Sequence, residues 1–181
     1  LNQVTLSFNS LTGTVPQTIA DVPLLATLLI SHNRLTGCLP PLLGFNQTRL
    51  KYIDFRENSL NGTIPSHVGS IPLLTQLSLS YNFFSGPIPT NILQLEILLY
   101  LELNHNRLTG PFPSNISPTS KLIACFLSNN QLNGSLPGSI GLLREIIEMD
   151  ISDNQFSQVF PVSYCRLHVL TSLYIFNNRF T

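Results

Sequence analysis

The sequence predicts an α/β solenoid, a right-handed coil of stacked repeats with short parallel strands on one side and tight turns on the other. An asparagine recurs every 24 or 25 residues, three apolar positions precede it, and a proline follows seven residues after each of the first seven. Self-similarity at this period is typical of stacked repeats. The recurring asparagines are Asn9, Asn33, Asn58, Asn82, Asn106, Asn130, Asn154 and Asn178.

The apolar positions predict the strands. Residues eight, five and three positions before each asparagine are apolar in every repeat. The last two have the same parity, so in a strand they point to one face. One coil cannot bury that face alone, but stacked coils turn it into a continuous core. We expect eight strands centred near residues 4, 28, 53, 77, 101, 125, 149 and 173, in repeats that begin near residues 1, 25, 50, 74, 98, 122, 146 and 170.

The residues after each strand predict how the chain turns. The asparagine is expected to turn inward and bond backbone groups that the turn leaves unpaired. Four residues later a glycine permits a bend, except in the seventh repeat, where Gln158 stands instead. The proline follows where no amide is needed. The returns, such as QTIADVPLL, are too short for a long helix, so we expect single 3₁₀ or α turns.

The pattern L-x-x-L-x-L-x-x-N-x-L, followed by Gly-x-x-Pro as in LTGTVP and LNGSLP, resembles the plant-type leucine-rich repeat. Plant receptor-like kinases, receptor-like proteins and polygalacturonase-inhibiting proteins carry this phrase. The resemblance covers residues 1–181 as one repeat array. It implies a second short sheet beside the first and an extracellular or cell-surface location. Within that second sheet, Gln158 puts the bend of the seventh repeat in doubt.

Composition argues against several classes of function. Nine basic residues balance nine acidic ones without a basic block, so nucleic acid is not an expected partner. The longest apolar stretch, residues 92–103, contains two glutamates and is too short to span a bilayer, so no membrane segment is expected in this chain. Neither terminus shows a polar capping repeat, and we therefore expect an uncapped fragment of a longer protein.

No catalytic constellation is visible, and neither enzyme activity nor a cofactor or metal is expected. Asp54 and Glu102 share a column but lie two coils apart, roughly 10 Å, beyond the spacing of paired-carboxylate glycosidases. These groups are expected to be solvated surface side chains. No metalloprotease, redox, nucleophile-elbow or phosphate-loop motif occurs, and the histidines are scattered as His32, His67, His105 and His168.

Outward-facing strand residues form a concave face whose composition can report on partners. Six of the nine acidic residues lie there beside one basic residue, Arg56, and aromatic residues interleave with them. Aromatic anchors dominate interface energies, although strands also favour aromatics that simply stack on one another. The candidate ligand-binding residues are Tyr52, Asp54, Arg56, Tyr81, Tyr100, Glu102, Phe126, Glu148, Asp150, Tyr174 and Phe176.

Three classes of function remain open. The first is a non-catalytic receptor ectodomain that holds a protein or peptide ligand, expected to be basic, on the concave face. The second is a soluble inhibitor of a cell-wall-degrading enzyme. The third is a structural, adhesive or ice-binding extracellular protein that uses the short polar residues three positions after each asparagine. Candidate glycosylation sites are the sequon asparagines Asn46, Asn61, Asn115 and Asn133.

Overall fold

Each repeat contributes one strand to each of two parallel eight-stranded sheets, in a computed structural model that describes residues 1–181. The concave sheet contains β1 (Gln3–Thr5), β3 (Thr27–Leu29), β5 (Tyr52–Asp54), β7 (Gln76–Ser78), β9 (Tyr100–Glu102), β11 (Ala124–Phe126), β13 (Glu148–Asp150) and β15 (Ser172–Tyr174). The flanking sheet contains β2 (Thr12–Thr14), β4 (Arg34–Cys38), β6 (Ser59–Gly62), β8 (Phe83–Pro87), β10 (Arg107–Gly110), β12 (Gln131–Gly134), β14 (Gln155–Gln158) and β16 (Arg179–Phe180).

The concave sheet follows the repeat order without a crossover, and its strands stay in register. The middle residue of each strand lies opposite the middle residue of the next, as Val4 does with Leu28 and Leu77 with Leu101. All eight predicted strand centres are confirmed. The second sheet, expected from the resemblance, is confirmed as well.

A single apolar core of 40 buried residues runs the length of the coil between the two sheets and the convex returns. Its largest fully buried side chains are phenylalanines, among them Phe55 from the concave side and Phe84 from the flanking side. Parallel strands buried in this way need apolar columns rather than isolated apolar residues. The periodic leucines of the sequence supply those columns.

The convex returns are short 3₁₀ helices, η1 (Gln17–Asp21), η2 (Ser66–Ser70), η3 (Ile92–Gln94), η4 (Gly138–Leu142) and η5 (Val162–Arg166). Four of them begin directly after a proline. The fifth repeat has a turn instead of a 3₁₀ helix, and so does the second repeat, which is one residue longer. There the buried Gln47 accepts a hydrogen bond from the Gly44 amide at 3.0 Å and donates one to the Ile19 carbonyl at 2.9 Å.

The recurring asparagine joins each repeat to the one before it. The side-chain amide of Asn82 donates to the Phe55 carbonyl of the previous repeat at 2.9 Å, and its oxygen accepts the Leu60 amide at 3.0 Å. It also donates to the Leu79 and Ser80 carbonyls of its own turn, each at 3.2 Å. The other asparagines from Asn33 onward make the same set of bonds.

The residue directly before each asparagine has a left-handed backbone, with φ between 51° and 58°. Non-glycine residues adopt this conformation uncommonly, and it turns the chain out of the strand. The hydrophobic pattern did not predict it, because the side chains at this position have nothing in common. They belong to Phe8, His32, Glu57, Tyr81, His105, Asn129, Asp153 and Asn177.

The seventh bend is present despite the missing glycine. Gln158 has φ of 70°, close to the 78° of Gly134 at the same place in the previous repeat. It ends strand β14, which pairs with β16 through the Gln158–Phe180 register. The doubt about this bend was therefore wrong, and the seventh repeat keeps its shape at a conformational cost.

We expect Asn82→Ala to lower the free energy of unfolding by about 3 kcal/mol, because the buried Leu60 amide loses its side-chain acceptor and the Phe55 and Leu79 carbonyls each lose one of two side-chain donors. Asn9→Ala is the matched control, since the exposed Asn9 bonds only the Leu6 and Ser7 carbonyls of its own turn. Urea denaturation of both variants measures the difference. Equal losses would contradict the role of the asparagine in joining repeats.

We expect Gln158→Gly to raise the free energy of unfolding by up to about 1 kcal/mol, since glycine adopts a positive φ without steric cost. The reciprocal control is Gly134→Ala, where an added Cβ would meet nothing closer than 3.9 Å. That variant should therefore lose about 1 kcal/mol from backbone strain alone. Thermal unfolding reports both signs, and a destabilised Gln158→Gly would contradict the strain.

Candidate functional site

The concave sheet presents the first and third residues of each strand outward, because the middle residue faces the core. Phe176 and Arg56 follow two positions after their strands, and Tyr81 occupies the left-handed position before Asn82. The strands themselves supply the other eight candidates, Tyr52, Asp54, Tyr100, Glu102, Phe126, Glu148, Asp150 and Tyr174.

Arg56 joins two acids in the first half of this face. Its guanidinium donates to both carboxylate oxygens of Asp54 at 3.0 Å and to Glu102 Oε2 at 3.1 Å. Hydrogen bonding to Asp54, with the charges of both acids, raises the pKa of Arg56 against the opposing effect of burial. Ser78, which lies between the two acids in the sheet, is fully buried. This cluster is therefore neutralised to one net negative charge.

Asp54 and Glu102 were expected to be solvated acids, and the structure contradicts this. Asp54 is only 6% exposed, and Glu102 is partly buried. The two columns are distant when measured between backbones, but the long side chain of Arg56 crosses the intervening repeat. An arginine two residues after an aspartate, on the same face, was the signal in the sequence that could have revealed the pair.

Stacked rings occupy the edge of the concave face, at the left-handed positions. Phe8 stacks on His32 and Tyr81 on His105, each with ring centroids 4.2 Å apart. His32 Nδ1 also lies 2.9 Å from a carboxylate oxygen of Glu57. Tyr81, one of the candidate aromatics, therefore stacks on another side chain of the protein. This agrees with the alternative interpretation, in which the aromatics of the face stack on one another.

The last three repeats of the face look different. Phe126, Asp150 and Tyr174 are consecutive neighbours across the sheet, with the acid between the two aromatics. Asp150 Oδ1 accepts the Ser152 amide at 3.0 Å and the Ser152 hydroxyl at 2.6 Å. Tyr174 is 43% exposed and Phe176 56%.

No basic side chain lies within 4.0 Å of the acids in the seventh repeat. The arginine and lysine ion pairs of the chain involve Asp54, Glu102 and Glu145 instead, and Glu57 contacts the His32 ring. The unneutralised charge of the concave face is therefore concentrated in Glu148, Asp150 and Asp153, of which Asp153 accepts a hydrogen bond from the Asn177 side chain at 2.7 Å.

The concave face is open, without a deep pocket. The largest depression, about 790 Å³, lies elsewhere, beside the flanking sheet, where Cys38, Pro41, His67 and Pro89 line it. A smaller one lies on the convex side at Gln94. Small-molecule sites are usually concave pockets, whereas an open sheet face fits a protein or an extended peptide.

Comparison with known proteins identifies the family. The Leucine Rich Repeat model matches residues 24–46, 49–71, 73–95 and 98–118. The plant peptide hormone receptor RGFR1, solved in complex with RGF2, is 33% identical, with 99% of this chain and 29% of that chain covered and a TM-score of 0.96. The chain is a leucine-rich repeat protein. No curated protein sequence matches this leucine-rich repeat protein significantly.

Two further solved structures resemble this leucine-rich repeat protein. One is the ectodomain of the Arabidopsis thaliana membrane receptor kinase GASSHO1/SCHENGEN3 in complex with CASPARIAN STRIP INTEGRITY FACTOR 2. It is 36% identical, the match covers 100% of this chain and 22% of that chain, and the TM-score is 0.93. The other is a plant ice-binding protein, 25% identical, covering 99% and 64%, with a TM-score of 0.76. The repeat protein spans less than a third of the length of either receptor.

The remaining reactive groups of the repeat protein do not assemble into a second site. Burial, with a smaller contribution from the charge of Asp150, raises the pKa of Cys125 to about 12, so its thiol stays protonated. Cys38 and Cys165 are exposed and lie in other repeats. No group of His, Cys, Asp and Glu side chains is arranged to hold a metal ion. None of the helices has the length and apolarity that a membrane span requires.

We expect Arg56→Met to destabilise the repeat protein by about 1–3 kcal/mol, because the nearly buried Asp54 carboxylate loses its counter-ion. The range is below that of a fully buried pair because the Arg56 side chain is 38% exposed. The double variant Asp54→Asn/Arg56→Met should recover part of the loss. Arg34→Met, at an exposed arginine without an ion pair, is the control. Thermal unfolding of wild type and the three variants, together with the single variant Asp54→Asn, gives a double-mutant cycle for the pair. Equal effects of Arg56→Met and Arg34→Met would contradict the prediction.

Proposed function

We propose that this chain is a non-catalytic recognition module that binds a protein or peptide ligand on its concave face, as part of an extracellular receptor. The observation that carries the proposal is the open face of the last three repeats. There Tyr174 and Phe176 are exposed beside acids that no basic side chain neutralises. Exposed aromatics flanked by charge are typical of binding surfaces. The receptors RGFR1 and GASSHO1/SCHENGEN3, both solved as complexes, support it.

The dimensions of the face suit an extended peptide. Eight strands at about 4.8 Å spacing span roughly 34 Å from the first to the last. An extended chain covers about 3.3–3.6 Å per residue, so about ten residues reach along the whole coil. Backbone atoms of such a ligand would pass over several repeats, and its side chains would meet the non-periodic residues of the strands.

We also propose glycosylation at Asn46, Asn61, Asn115 and Asn133, which is compatible with this use of the concave face. All four asparagines are exposed. Two lie on the flanking sheet, in strands β6 and β12, and two on the convex returns. Glycans at these positions would leave the concave face free for a ligand.

An ice-binding role is supported less well. It requires a regular exposed row, and the short polar residues three positions after each asparagine differ in exposure. Ser85, Thr109 and Ser157 are only partly exposed, whereas Thr12 and Thr36 are exposed. Asn61 and Asn133 belong to the same row, and glycans there would interrupt it. The likeness to a plant ice-binding protein therefore supports the shared repeat fold better than a shared function.

The test is selection of a random dodecapeptide library on the immobilised protein, followed by affinity measurements on synthetic copies of the selected peptides. Tyr174→Ala and Phe176→Ala should each weaken binding by about 1–3 kcal/mol, because anchors of this type dominate interface energies. Phe45→Ala is the matched control, since Phe45 is 57% exposed on a convex return. Affinity that survives both concave variants, or that falls equally with Phe45→Ala, would contradict the proposal.

A further inference from the structure

Two acids of the concave face bind a cationic side chain of the protein itself. Arg56 occupies the space between Asp54 and Glu102, with its guanidinium within 3.1 Å of both carboxylates. Both acids project from the third position of their strands, in one column of the sheet. Acids at this position can therefore hold an alkyl-guanidinium group that lies along the face.

The same column continues in the last three repeats without an internal cation. Asp150 occupies the third position of strand β13, between Phe126 of β11 and Tyr174 of β15. Ser152 holds one of its carboxylate oxygens through two hydrogen bonds, and the other oxygen has no hydrogen-bond partner in the protein. Glu148, two residues earlier on the same face, makes no side-chain hydrogen bond or ion pair. The carboxylate is thus preorganised, flanked by rings, and unpaired.

We propose that Phe126, Asp150 and Tyr174, together with Glu148, form a subsite for one lysine or arginine side chain of a peptide ligand. This inference rests on the proposed function and specifies which part of the face selects the ligand. The carboxylates supply charge complementarity for the cationic head group. The rings on either side supply apolar area for its methylene stem and cation–π attraction for its head.

Other ligand groups fit this arrangement less well. An anion would meet two unneutralised carboxylates. A neutral apolar side chain would contact the rings but would remove water from Asp150 without replacing it, which is costly for a charged group. A small hydrated metal ion gains nothing from aromatic walls, and the chain has no metal-ligating cluster. Lysine and arginine alone use both the acids and the rings.

The experiment uses the dodecapeptides selected on the wild-type protein. Each lysine or arginine of a selected peptide is replaced in turn by the neutral residue norleucine or citrulline, and dissociation constants are measured against wild type, Asp150→Asn and Glu148→Gln. One basic residue should matter, with a loss of about 5- to 50-fold on wild type. The same replacement should cost less than about 2-fold on Asp150→Asn, because the partner charge is then absent.

The controls separate the local charge from net charge and from folding. Asp21→Asn and Glu96→Gln remove the same charges at exposed positions outside the concave face, and they should leave the affinity within about 2-fold. Glu148→Gln removes no hydrogen bond, so its effect cannot come from a lost structural contact. It should weaken binding of the basic peptide by several-fold, and less so at high salt.

Three results would overturn the inference, and they are distinguishable. Peptides that depend on Tyr174 and Phe176, but tolerate every neutral replacement, would leave the proposed function standing and remove the cation subsite. Peptides that ignore the concave variants altogether would remove both. A basic residue whose contribution is the same on wild type and on Asp150→Asn would place its partner elsewhere and would also overturn the inference.

Discussion

Each turn of the coil is completed by the repeat that follows it. The asparagine amide of one repeat bonds the carbonyl and amide groups that the previous turn leaves free, and the same geometry recurs from Asn33 to Asn178. A buried backbone group without a partner costs free energy, so a single repeat cannot form a finished turn. The strand register, the left-handed residue before each asparagine and the regular concave face all depend on this link between neighbours. Because the periodic residues maintain the coil, the outward-facing residues of the concave strands can vary from repeat to repeat.

The periodic parts of the fold could be predicted from the sequence, and the non-periodic parts could not. Apolar columns placed all eight strand centres, since burial has to repeat with the coil. The positive φ of residues such as His32 and Asn129 could not be predicted from the sequence, because unrelated side chains adopt the same backbone conformation at this position. The bridge from Arg56 to Asp54 and Glu102 was missed for a different reason. Distances between columns describe the backbone, whereas a long side chain can pass across a whole repeat to reach Glu102.

One sheet thus carries two electrostatic environments. In its first half Arg56 pairs with two acids, His32 contacts Glu57, and rings stack at the edge of the face, while Tyr52 and Tyr100 are exposed. In its last three repeats the acids lack a counter-ion, and Tyr174 and Phe176 face solvent. Counting charges on the face would not separate the two halves, because both contain acids and aromatics. Only the contacts distinguish side chains that stabilise the coil from those that remain available to a ligand, and this difference moves the candidate site toward the C-terminal end of the chain.

The distance between neighbouring concave strands differs from the distance between neighbouring residues of an extended peptide. Coils repeat at about 4.8 Å, while an extended peptide advances about 3.3 Å per residue, so the two come back into phase after about two coils and three residues. The separation of Asp54 and Glu102, bridged by Arg56, is the same two-coil step. A peptide lying along the axis can therefore place well-fitted side chains only at intervals, and the residues between them must tolerate loose contacts. Specificity on such a surface comes from a few widely spaced positions rather than from continuous complementarity.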